Sequence, residues 1–226
     1  MKGTNLPSDL IKRIIAFCNR DLVPDSTYRT TDGYQSVWFV NYYSFLGNPQ
    51  IEKYLGEAYY QARFMYKLMS ALHLPVYKHG AMVKFQIVQY ASICEAVLQA
   101  AIEKYFKADF ENQYAVKEYA KCGNAVASDV KITQSSTELV LCKMKVKKAD
   151  IKRERIDHKT EFAVQKGIIS QSTKDEMDKL YDSRNNIHIL KAAGNNYKPK
   201  LRESRDAFLL MQKLVGEVKD YYSRNV

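Results

Sequence analysis

Ser172 to Leu190 reads STKDEMDKLYDSRNNIHIL, and its apolar residues recur with the period of an α-helix. Met177, Leu180, Tyr181 and Ile187 fall on one stripe, and Arg184 and His188 fall on the same stripe. Ser172 suits the N-cap, with Asp175 and Glu176 in the first turn as the helix dipole prefers. The spacing predicts one helix from Ser172 to about Leu190. Residues four apart stack on one face, about 40° apart around the axis, so Arg184 and His188 are expected side by side, facing inward.

Working outward, most of the chain carries the same period. Leu6–Asn19 places Leu10, Ile14, Ile15 and Cys18 at helical spacing, and Asp21–Gly33 is turn-rich. Tyr34–Phe45 is dense in aromatic residues, best explained by docking of this N-terminal segment on the main body. Ile51–Leu72 reads as a long helix ended by Leu74-Pro75, and Ala81–Phe106 as a second helix apolar on most sides. His158–Lys166 and Leu201–Ser223 add amphipathic helices, with a loop at Ala192–Pro199. A short helix is expected near Val116–Lys121, ending at Gly123. Leu139–Lys147 breaks the pattern, alternating between an apolar set (Val140, Cys142, Met144, Val146) and Lys143, Lys145 and Lys147. That is a strand, expected to have an apolar inner face and a hairpin partner around Ser128–Gln134. The fold class is therefore mainly α: a helical bundle over 51–226 with a small β-hairpin insertion near 128–150, and an N-terminal extension, 1–50, packed on it.

Composition narrows the function. The 226 residues suffice for a core without staples, with 46% hydrophobic and 27% charged residues. Cys18, Cys94, Cys122 and Cys142 show no metal-ligand spacing, so no metal or cofactor is expected, and scattered thiols fit a reducing cytoplasm. Met1–Arg20 lacks the pattern of a signal peptide. Lys84, Gln86, Gln89, Glu95 and Gln99 interrupt the longest apolar run, so no membrane span is expected. The net charge of +10 points toward a polyanion. Leu141–Thr160 supplies about half of the excess through Lys143, Lys145, Lys147, Lys148, Lys152, Arg153, Arg155 and Lys159, opposed by Asp150, Glu154 and Asp157. All of these but Lys159 form the candidate nucleic-acid-binding ribbon; a merely solvated ribbon reads equally well.

An arginine on a core-facing stripe needs a partner, because a buried unpaired charge costs on the order of several kcal/mol. Glu95 interrupts the apolar run Ala91–Leu98 and is the candidate, with Asn185 beside it to add hydrogen bonds. Histidine moves protons near neutral pH, and arginine clamps a phosphate bidentately. Together they suit metal-independent cleavage of RNA: the histidine takes the 2′-hydroxyl proton while the arginine holds the scissile phosphate. The ends would be a 2′,3′-cyclic phosphate and a 5′-hydroxyl. The same residues could instead serve only as a register-fixing bridge.

SRNNIHIL (Ser183–Leu190), preceded by YASICEAVLQAAI (Tyr90–Ile102) and FAVQKGII (Phe162–Ile169) and followed by a last amphipathic helix, resembles the HEPN superfamily over roughly residues 55–226. The resemblance implies a helical bundle that dimerises, bringing two Arg/His pairs into one cleft. It also implies a metal-independent endoribonuclease, found in toxin–antitoxin, abortive-infection and other antiviral systems, or a relative that only binds RNA, nucleotides or protein. Arg184 would be the motif arginine, Asn185 the polar residue that follows it, His188 the motif histidine and Glu95 the acidic position of an earlier helix. One departure stands out: the usual motif places four to six residues between arginine and histidine, and here only Asn185, Asn186 and Ile187 intervene. Three readings stay open: a toxin-like or antiphage ribonuclease, a non-catalytic RNA-binding or protein-interaction module, and a structural subunit. RNA, a second copy of the chain and an antitoxin or defence-system protein are the implied partners.

Overall fold

The computed structural model describes residues 7–19, 36–72, 76–121, 132–134, 137–139, 142–187 and 189–225. The helices in chain order are α1 (Ser8–Asn19), α2 (Ser36–Asn41), α3 (Pro49–Leu72), α4 (Val76–Tyr105), α5 (Lys107–Gln113), α6 (Ile156–Gln165), α7 (Gln171–Asn185), α8 (Ile189–Gly194) and α9 (Leu201–Arg224). Tyr34, Leu74-Pro75, Cys122, Gly123, Val140 and His188, named above, lie outside the described residues.

Helix α4 is the axis of the bundle, with α3, α6, α7 and α9 packed around it. Ile87, Tyr90, Cys94, Val97 and Ala101 are buried as their period requires, and so are Val83, Ala91, Ile93, Leu98 and Ile102 on neighbouring faces. Gly80–Tyr105 is long and apolar enough to cross a membrane by length and composition, with 56% of that window buried inside the protein. Gln86, Glu95 and Gln99 have partners within the bundle. The buried Gln86 donates from Nε2 to the Ala62 carbonyl (3.0 Å) and accepts from the Ser204 hydroxyl (2.7 Å), which fastens α3, α4 and α9 together. The predicted stripe of α9 is buried throughout, at Ala207, Leu210, Met211, Leu214 and Val218.

The aromatic N-terminal segment packs on α3. Phe39 and Tyr43 are fully buried, and Phe39 meets Tyr59 edge-on with ring centroids 4.8 Å apart. This contact depends on Gly56, where a Cβ would lie 2.7 Å from the Val40 backbone nitrogen. Helix α1 also lies on α3, burying Cys18, while Leu10 and Ile15 of its predicted stripe stay exposed.

Several sequence expectations are corrected. Val116–Lys121 is not helical; it is strand β1, and it pairs antiparallel with β4 (Cys142–Lys147) from Val116↔Lys147 to Lys121↔Cys142. Val116 and Tyr119 favour a pleated ribbon once a partner is within reach. The expected partner region instead supplies β2 (Ile132–Gln134), which pairs with β3 (Thr137–Leu139). The insertion thus begins at Val116 rather than near 128, and the apolar set of β4 is not an inner face: Met144 and Val146 are exposed, as is Cys142.

The other two corrections concern α7. Ser170, not Ser172, caps it, accepting from the Thr173 amide, because Glu217 of α9 takes the Ser170 amide (2.9 Å) and both nearby hydroxyls. The helix ends at Asn185 rather than running to Leu190. The weak helix formers Asn185 and Asn186 stand there, and Asn186 is tied by Asn195 Nδ2 at 3.1 Å.

Gly56→Ala separates two opposed terms: the alanine gains about 1 kcal/mol of helix propensity, but overpacking against rigid backbone costs about 1–3 kcal/mol. A net loss of stability is expected in urea denaturation, with Trp38 fluorescence reporting α2; a more stable variant would contradict the close α2–α3 contact.

Candidate functional site

Helices α4, α6 and α7 each send a polar side chain to one place. Glu95 of α4 accepts a 2.6 Å hydrogen bond from the Tyr181 hydroxyl of α7 and a 3.1 Å charged hydrogen bond from Lys159 Nζ of α6. Lys159 is fully buried, whereas the Glu95 side chain keeps 29% exposure. A second acceptor for Lys159 is the Gln99 side-chain oxygen at 3.2 Å, one turn further along α4. Arg184, one turn beyond Tyr181, brings Nη1 to 3.8 Å from Glu95 and lays its guanidinium over the Tyr181 ring, 5.0 Å from the centroid.

The expected Glu95–Arg184 pairing is therefore present, but it is the longest contact of the cluster. The close cation is Lys159, which the sequence alone showed only as one more charge in the basic window Leu141–Thr160. The helical period holds a clue to it: Lys159 stands with Phe162 and Ala163, three and four residues on, along the buried stripe of α6. Tyr181 lies on the predicted inner face of α7 but had no assigned role.

Burial alone would push the Glu95 carboxyl up. Hydrogen bonds from Tyr181 and Lys159, together with the charges of Lys159 and Arg184, outweigh it, and the net shift is downward. Burial, and then the bond to Glu95, push the Tyr181 hydroxyl far above its ordinary range. Near neutral pH Tyr181 is thus a fixed donor and Glu95 a fixed anion. Because shorter contacts already occupy the carboxylate, Arg184, 36% exposed at the end of α7, has N–H groups that no hydrogen bond takes up among the described residues. Asn185 beside it is exposed, and His188 lies outside the described residues.

The basic ribbon divides in two. Lys143, Lys145 and Lys147 share one face of β4, all exposed, with Lys147 bonded to Glu118 at 2.9 Å. Lys148, Lys152, Arg153 and Arg155 lie in the turn leading to α6 rather than on the strand. Three of them have carboxylate neighbours: Lys148–Glu111 (3.9 Å), Arg153–Asp150 (3.5 Å) and Arg155–Asp157 (2.6 Å). Exposed pairs of this kind contribute little and leave the cations able to exchange partners. Nearby, His158 stacks on Tyr114 at 4.5 Å and holds Glu154 at 2.8 Å, an ordered imidazole that the sequence reading did not single out.

No known protein family, curated protein or solved structure matches this chain.

The cluster carries its own pH signature. The folded pKa of Glu95 lies below its ordinary 4.5, so the stabilisation is complete above that value and is lost as pH falls through the folded value. Glu95→Gln is expected to flatten the acid limb of the stability curve; an unchanged limb would contradict the assignment. Lys159→Ala is expected to cost stability at neutral pH, toward the lower end of the about 3–5 kcal/mol for a broken buried pair, because Glu95 keeps two other partners. Urea titrations at pH 7 measure this, and a loss below 1 kcal/mol, well under that range, would argue against the buried pair.

Proposed function

We propose that the chain is an RNA-cleaving protein of HEPN type, acting without a metal, with Arg184 as phosphate clamp and His188 as general acid–base. The observation that carries the reading is the state of Arg184. It lies over the Tyr181 ring with its guanidinium drawn toward Glu95, and it is half-exposed with open donors. That is what bidentate capture of a phosphodiester requires. In the proposed reaction His188 removes the 2′-hydroxyl proton, the 2′-oxygen attacks phosphorus, and the 5′-oxygen leaves with a proton. Arg184 stabilises the charge that builds on the non-bridging oxygens. Asn185, exposed beside it, adds a neutral donor. Glu95 stays out of the chemistry and acts through Arg184. The HEPN resemblance extends the proposal to a cytoplasmic homodimer with paired sites, and to an antitoxin or defence-system partner.

A second reading is favoured by one specific feature, the row of exposed lysines on β4. Here the β arm binds RNA and the chain need not turn it over.

Pure protein incubated with single-stranded RNA in EDTA is expected to release fragments ending in 2′,3′-cyclic phosphate, identified by mass spectrometry. Arg184→Ala and His188→Ala should each slow cleavage by about 10²–10⁴-fold, the usual worth of a positioned acid–base or charge-stabilising group. Intact RNA, or equal cleavage by both variants, would eliminate the enzyme.

For the arm, replacing Lys143, Lys145 and Lys147 together by Ala should lower the log–log salt slope of RNA affinity by about two, at roughly 0.7 per phosphate contact. A slope that does not move would remove the β arm from the interface.

A further inference from the structure

A second basic site lies on another side of the bundle, where α3 and α4 meet the first turns of α9. A cleft of about 610 Å³ opens there, lined by three arginines (Arg63, Arg202, Arg205) and three aromatic rings (Tyr66, Tyr90, Phe208). Its size falls within the roughly 300–1,000 Å³ typical of small-molecule sites. No carboxylate lines it.

The charges in this cleft are under-compensated. The Arg63 guanidinium lies 4.7 Å from the Phe208 ring centroid and 5.5 Å from that of Tyr66. Ring faces attract a cation but do not neutralise it. Among the described residues no carboxylate pairs with Arg63 or with Arg205. Arg202 has only Asp206, at 3.6 Å in an exposed pair that water and salt screen. A half-buried arginine, held flat by aromatic rings and facing a cleft with two further guanidiniums, is built to meet an anion. The rings add a face for a planar group: Tyr66 is 37% exposed, and Phe208 is only partly buried. A simple oxyanion would use the arginines and leave the rings idle, whereas an apolar ligand would do the reverse.

We propose that this cleft is a nucleotide site, in which the base stacks among Tyr66, Phe208 and the Arg63 plane while Arg205 and Arg202 hold the phosphate. The ligand chemistry is a base carrying a phosphate, either free or as one unit of a strand. The cleft shares Arg202 and Leu209 with a smaller groove between α7 and α9 that reaches Ser183, but Glu176, Glu203 and Asp206 line that groove, so its charge favours a free nucleotide over a strand running along it. The inference does not rest on the cleavage reading, since none of its six residues belongs to the Glu95 cluster.

Isothermal titration of the full chain with AMP, adenosine, inorganic phosphate and a 2′-deoxy hexanucleotide tests it. AMP is expected to bind, with adenosine and phosphate each at least about tenfold weaker, the worth of one charge-assisted contact or one stacked ring. Arg205→Ala, an exposed substitution, and Arg63→Gln should each weaken AMP by about tenfold or more. Arg184→Ala should leave AMP binding unchanged. If only the hexanucleotide binds, and in an Arg184→Ala background Arg205→Ala and Arg63→Gln abolish the binding that remains, the site stands and the strand is the source. Absence of binding by both AMP and the hexanucleotide overturns the proposal. So does AMP binding that ignores Arg205→Ala or is lost in Arg184→Ala instead, and, where only the hexanucleotide binds, binding that Arg184→Ala alone removes.

Discussion

A single carboxylate holds three helices of this protein in phase. Glu95 sits on α4, the most enclosed helix of the bundle, at a position where its neighbours are buried and apolar. A charge at such a position would be expelled or protonated unless groups of opposite sign reached it. Lys159 reaches it from α6, and Tyr181 and Arg184 reach it from successive turns of α7. Those contacts fix the rotation of both helices about their own axes, because a small turn of either would leave the buried Lys159 ammonium or the half-buried Glu95 carboxylate without a close partner. The same lock settles which way the guanidinium of Arg184 points. On the proposed reading, function and register draw on one set of atoms, and the most exposed member of the set, Arg184, is the one that meets the RNA.

Much of the helical frame was legible because its signal is periodic. The buried stripes of α4 and α9 and the inner face of α7 appear in the residue spacing alone, and the inward position of Arg184 follows from that phase. What escaped was long-range. Lys159 looks like one more lysine in a basic window until α6 is turned against α4, where Glu95 and Gln99 wait. Val116–Lys121 carries no pattern strong enough to choose between helix and strand, and its partner lies on the far side of a second pairing. Capping failed in the same way. Ser170 and Ser172 are chemically alike, and only Glu217 on the opposing helix decides between them.

The β arm and the bundle differ in kind. The bundle derives its order from buried area, whereas every residue of β4 is exposed and Tyr119, Met144 and Val146 stand on the face opposite the lysines. Such a ribbon is held by its own ladder and by cross-strand pairs such as Lys147 with Glu118. Its substitutions should therefore change surface properties with little effect on the core, so charge on the arm and the Glu95–Arg184 cluster can be varied separately. About half of the +10 charge of the chain falls on β4 and the turn before α6, whereas the arginines of α9 stand among nearly as many acidic residues.

The central claim is that the Arg184 guanidinium, held by Glu95 and Tyr181, is the group that receives a phosphodiester. Titrating the isotope-labelled protein with a 2′-deoxy oligonucleotide that cannot be cleaved, while following arginine side-chain Nε–Hε resonances by NMR, tests this directly. The Arg184 resonance is expected to shift strongly downfield and to gain protection from solvent exchange, and Glu95→Gln should weaken that response. An Arg184 resonance that stays in place while the oligonucleotide saturates other arginines would contradict the account.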